Sequence, residues 1–164
     1  MSRSWVVGRE SEVMGVIQSY RDLRVWQLAM DLAADAYCVT KPWPREEAYG
    51  LTSQVRRSAA LVPANIAEGF GREASGSFAQ FLRNAQGSLK EFETHILLAA
   101  RVDLLDEQGS LALLAKSEDI GRMLGSLIRK VANTPVERVS KARAAFARPT
   151  TDDRRPTLDE AKSQ

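Results

Sequence analysis

Cysteine and histidine each occur once in these 164 residues, as Cys38 and His95. A single thiol cannot close an intramolecular disulfide, and this pair cannot build a cysteine-cluster zinc site or a multi-histidine metal centre. The di-iron pattern of helical bundles needs two Glu-x-x-His repeats, which one histidine does not supply. No metal centre of these kinds is therefore expected. Long apolar runs are missing too: none approaches the ~20 residues of a membrane-spanning helix, which excludes an integral helical membrane protein. Charge of one sign is not in surplus either. With 23 Lys and Arg against 21 Asp and Glu, the net +2 is far from that of an obligate nucleic-acid coat protein. Gly-rich phosphate loops, strand-like alternation and long internal repeats are also absent.

What is present reads as one ordinary globular domain of 18.1 kDa, 44% hydrophobic and 27% charged. Residues 1–20 form an N-terminal extension, expected to be partly disordered. Arg9, Glu10 and Glu12 break up any signal-peptide core there, so a cytoplasmic location is expected. From Asp22, a candidate N-cap, Val25, Ala29, Leu32, Ala36 and Val39 follow a heptad-like 4-3-4-3 spacing, and Lys41-Pro42-Trp43-Pro44 stops that helix. A second helix from near Arg45 carries Leu51, Val55, Ala59, Val62, Ile66 and Phe70. Pro63 is expected to bend it rather than end it, because the stripe stays in phase on both sides. The third carries Phe78, Leu82, Ala85, Leu89, Phe92, Ile96 and Ala99 without a miss, and Asp106 to Gly109 reads as a turn. The fourth runs from about Leu111 to Val131. Four amphipathic helices with short connections predict an all-α, antiparallel up-down four-helix bundle over residues 21–131. Residues 132–164 read as a short basic helix and a disordered tail.

Candidate functional residues are few. Gln54, Arg57, Leu61, Asn65, Glu68 and Arg72 form a second stripe on the second helix, about 60° from its core stripe. They read either as a solvated flank or as a polar subunit interface that fixes register. Arg56, Arg57, Arg72, Arg83 and Lys90 are the one arginine-rich grouping in the folded region, suited to phosphate. Ordinary surface charge offset by Glu73, Glu91 and Glu93 is the alternative. The bundle itself, from Asp22 to Val131, holds 13 basic and 14 acidic residues, so any polyanion site must come from local clustering. Glu91 could orient His95, but no serine or cysteine elbow accompanies the pair, and no enzyme activity is expected.

Four blocks in this order carry a specific resemblance. They are Asp22-Leu23-Arg24-Val25-Trp26-Gln27-Leu28-Ala29, Tyr49 through Ala59, Pro63-Ala64-Asn65-Ile66-Ala67-Glu68-Gly69 and Phe81 through Glu91. The chain from about Tyr20 to Val131 resembles the bacterial four-helix-bundle proteins encoded in intervening sequences of 23S ribosomal RNA genes. The accessory protein of diversity-generating retroelements is a relative of that family. The resemblance implies an antiparallel four-helix bundle assembled as a ring-shaped homopentamer, with no established enzymatic activity or cofactor. The retroelement relative binds nucleic acid and a reverse transcriptase through a strongly basic surface, from which this near-neutral bundle departs. Lys41-Pro42-Trp43-Pro44 and Leu61-Val62 depart from the family pattern as well.

The expected function is a non-enzymatic homo-oligomeric binding scaffold associated with RNA, DNA or a nucleic-acid enzyme such as a reverse transcriptase. The alternative is a protein-interaction module that takes a peptide or helix in an inter-bundle groove. Surplus apolar and mixed surface argues for association, with Trp26, Gln54, Asn65 and Glu68 as interface candidates.

Overall fold

A computed structural model describes residues 17, 19–72 and 75–133, all within the unit Met1–Thr134. The expectations for residues 1–16 and for the tail from 134 onward lie outside the described residues. Four helices dominate: α1 (Arg24–Thr40), α2 (Leu51–Gly71), α3 (Ser75–Arg101) and α4 (Glu107–Ala132). Cross-helix contacts fix their order and direction. Arg56 of α2 reaches Thr40 of α1, Arg57 pairs with Glu91 of α3, and Phe70 of α2 meets Phe78 at the start of α3 edge-on at 5.9 Å. Ser117 of α4 bonds Glu93 of α3, and Lys116 pairs with Asp35 of α1. Each helix therefore runs antiparallel to its neighbours, in the up-down order α1-α2-α3-α4.

The apolar stripes form the core. All seven positions of the α3 stripe are buried, as are Val25, Ala29, Leu32 and Ala36 of α1 and Ile120, Leu124 and Val131 of α4. On α2 the stripe is buried on both sides of Pro63, and the helix continues through that proline to Gly71. A proline lacks one backbone donor, yet in-register packing of Val62 and Ile66 keeps the helix going. Truncating a side chain such as Phe92 costs about 3–5 kcal/mol in cores of this kind.

The helix ends differ from expectation, for chemical reasons. Asp22 sits in a 3-10 turn, Tyr20–Asp22, closed by a reciprocal capping box with Ser19, and α1 starts two residues later. Residues 45–47 form a separate 3-10 turn, and α2 begins at Leu51, whose amide donates to the Glu47 carboxylate at 3.0 Å. Because Gly50, the N-cap, has no side chain, Glu47 satisfies this orphan amide from the preceding turn. Asp106 is the N-cap of α4 and accepts from the Gly109 amide at 2.6 Å, so α4 includes residues that read as a turn. The reversal falls on Val102–Leu105 instead, where Asp103 has φ 59°, a left-handed conformation that aspartate tolerates.

Gly69 lies in the last turn of α2, which ends at Gly71. A Cβ there would stand 2.5 Å from the Phe81 Cβ and 3.0 Å from Phe78, so the glycine is what lets α2 and α3 close on each other.

Candidate functional site

The arginine-rich grouping is taken apart by the fold. Arg56 is half-buried: its Nε donates to Thr40 Oγ1 at 2.8 Å and its guanidinium lies 4.9 Å from the Tyr37 ring centre. Thr40 in turn donates to the Ala36 carbonyl, so Arg56 completes a small network joining α1 and α2. Arg57 pairs with Glu91, and Lys90 pairs with Glu93 at 2.7 Å. Arg72 pairs with Glu68 at 2.6 Å and covers the Phe81 ring at 4.8 Å. Arg83 alone of the five is exposed with no hydrogen bond, ion pair or ring contact among the described residues.

The interface candidates are not brought into one cluster. Gln54 accepts from Arg57 at 3.4 Å, Asn65 donates to the Leu61 carbonyl at 2.8 Å, and Glu68 holds Arg72, each within α2. Trp26 is half-buried on α1, edge-on to Tyr20 at 5.1 Å. The polar stripe lies along the α2–α3 seam, where Arg57 and Arg72 each reach over to α3. Glu91, the group that might have oriented His95, is engaged by Arg57, and His95 Nδ1 is buried without a partner. Among the described residues no cluster of three His, Cys, Asp or Glu side chains could hold a metal ion, and no helix is long and apolar enough to cross a membrane.

Charge follows the topology. Two cross-helix registers divide the bundle at mid-height: Gly121 faces Leu89 across the α3–α4 seam, and Arg57 faces Glu91 across the α2–α3 seam. One half comprises the start of α1, the end of α2, the start of α3 and the end of α4. Its residues 19–30, 62–72, 75–88 and 121–133 hold seven basic residues and two acidic ones, Asp22 and Glu68. The other half, residues 31–61 and 89–120, holds seven basic and eleven acidic residues. Of the seven exposed large hydrophobic residues among those described, Tyr37, Tyr49, Leu97, Leu98, Val102 and Leu111 lie in the acidic half, with Met30 at its border. Tyr49 is 98% exposed. Between α3 and α4 runs an open cleft of about 470 Å³, lined by Gln86, Gly87, Leu89, Lys90, Gly121 and Arg122 among others.

Helix order, direction and a glycine-mediated α2–α3 approach define an all-α, antiparallel up-down four-helix bundle. Residues 21–126 match the family described as 23S rRNA-intervening sequence protein, and the chain belongs to that family. A solved structure from Bacteroides thetaiotaomicron, described as a protein with unknown function from the S23 ribosomal protein family, superposes with a TM-score of 0.60. It is 22% identical, and the match covers 64% of this chain and 95% of that one, a likeness of fold. No curated protein matches this chain.

Proposed function

We propose that this protein is a non-enzymatic, homo-oligomeric binding scaffold that associates with nucleic acid in the bacterial cytoplasm. The observation that carries the reading is the pairing, on one small bundle, of unburied apolar surface with a segregated cationic half. Six large hydrophobic side chains among the described residues stand exposed in the acidic half, and a second copy would cover them. Met30 and Tyr37, seven residues apart, share a face of α1, and Leu97 and Leu98 are exposed near the end of α3. Together with the polar flank of α2, these faces suit a head-to-tail contact, which closes into a ring when its rotation divides the circle. A homopentamer is the count that the family resemblance supports. The segregated cationic half supports nucleic acid as the partner class.

Native mass spectrometry tests the assembly: a ring of five is expected, and a monomer of 18.1 kDa at micromolar concentration would sink it. A gel shift with RNA and with DNA at low and high salt tests the ligand. Phosphate binding must weaken steeply with salt. The second reading, a protein-interaction module, is favoured by the open α3–α4 cleft with glycines at Gly87 and Gly121. It predicts binding that salt leaves nearly unchanged.

A further inference from the structure

We infer that the basic half of the bundle is the face that meets a nucleic-acid backbone, with Arg83 of α3 and Arg129 of α4 as its principal phosphate contacts. The inference rests on the nucleic-acid reading above and keeps Arg83 alone of the arginine grouping in the sequence, joining it to Arg129 of another helix.

Three observations converge on this end. First, the helices require only part of this charge: Arg129 and Lys130 sit in the last turn of α4, where the macrodipole favours cations, but the N-termini at the same end lack the acidic groups it would favour. In an antiparallel bundle each end carries two helix N-termini and two C-termini, so macrodipoles favour acidic groups at half of the termini and basic groups at the other half. The N-termini of α1 and α3 both open at the basic end, yet neither has an acidic residue in its first turn, and α1 begins with Arg24. Neither 75–88 nor 121–133 contains an acidic residue at all. Such unbalanced charge repels itself, and an external polyanion would relieve it.

Second, two of the cations here are available. Arg83 and Arg129 are exposed and have no acidic partner among the described residues, whereas Arg56, Arg57, Lys90, Lys116 and Arg122 are all engaged. Arg129 Nη1 and Gln86 Nε2 both lie over Gly125, at 3.5 and 3.8 Å from where its Cβ would be. Arg129 therefore sits on the α3–α4 groove beside an amide donor, and Arg83 is one turn from Gln86 along α3. Six of the seven basic residues of this half are arginines, whose planar forks suit phosphate oxygens.

Third, the ends differ in apolar surface. End-to-end stacking on the acidic half of another copy would lay exposed leucines and Tyr49 against a surface that, among the described residues, exposes Met30 alone of the large hydrophobics, and that at its border. A phosphate backbone makes no such demand.

The test uses the full-length protein and a fluorescent, mixed-sequence single-stranded RNA, with anisotropy measured across a salt titration. R83E/R129E is compared with R45E/R101E, which changes net charge equally but lies in the acidic half at exposed positions without a side-chain partner. Circular dichroism verifies that both keep wild-type helicity. R83E/R129E should weaken binding by about tenfold or more, and flatten the salt slope by about 1.4 for two lost single-strand contacts. R45E/R101E should stay within about twofold, because screening near 0.1 M salt confines charge effects to ~10 Å. Equal losses in the two variants, or binding unchanged in R83E/R129E, would overturn the assignment of this face while leaving nucleic-acid binding intact. Wild-type protein that binds no RNA at low salt would overturn the functional reading and this face with it. If R83E/R129E instead alters the assembly mass and leaves RNA binding alone, the basic half meets another copy and the inference fails.

Discussion

The two halves of this bundle have cores of the same kind and surfaces of opposite kinds. In the basic half, Phe70, Phe78 and Phe81 cluster where Gly69 lets α2 and α3 approach, and the exterior is arginine-rich. In the acidic half, Leu89, Phe92 and Ile96 pack as completely, but eleven acidic residues share the exterior with exposed Leu97, Leu98, Val102 and Leu111. The near-zero charge of the whole bundle is a cancellation between these ends. Net charge argues about solubility and encounter, and it is blind to such a separation.

The comparison can be broken or sharpened by substitution, and the largest effect belongs to the core. Phe78→Ala removes a fully buried ring at the basic end and should cost about 3–5 kcal/mol by urea unfolding. A cost below about 1 kcal/mol would mean that this end is loosely packed. Leu97→Ser with Leu98→Ser should leave helicity intact and shift the native mass toward monomer, because these side chains are about half exposed in the single chain. An unchanged mass would take the α3 face out of the assembly. Asn65→Ala with Glu68→Ala should loosen the assembly more than the fold, by the same mass measurement.

Gly69→Ala is expected to destabilise by about 1–2 kcal/mol. Overpacking against Phe81 costs roughly 1–3 kcal/mol and a gain of up to about 1 kcal/mol in helix propensity offsets part of it. A more stable variant would show that the α2–α3 approach has slack. The smallest effect is expected of Arg57→Ala. The Arg57–Glu91 pair has side chains 56% and 34% exposed, so its loss should change stability by less than about 1 kcal/mol in a melting experiment.

The interior was legible in the sequence, because burial on a helix writes a 3.6-residue period that survives without any knowledge of partners. The α3 stripe, and the α2 stripe through Pro63, are the clearest cases. Helix ends were less so. Capping depends on side chains that reach along the chain, as Glu47 does to Leu51 and Asp106 to Gly109, and such reach competes with plain turn propensity. The close approach of α2 and α3 at Gly69 was not legible, because its cause, a contact with Phe81, belongs to another helix. The charge separation was hidden for the same reason. The acid-free run 75–88 and the acid-free run 121–133 are visible one at a time, but only antiparallel packing puts them at one end. The arginine grouping suffered the converse fate: Arg56 and Arg57 are neighbours in sequence, and folding commits them to Tyr37 and Glu91.

Hydrogen–deuterium exchange on the wild-type protein, with and without RNA, tests the division into two ends most directly. Exchange should slow on binding across residues 78–86 and 122–132, with 92–112 unaffected. Protection centred on 92–112, with the basic half unchanged, would contradict it.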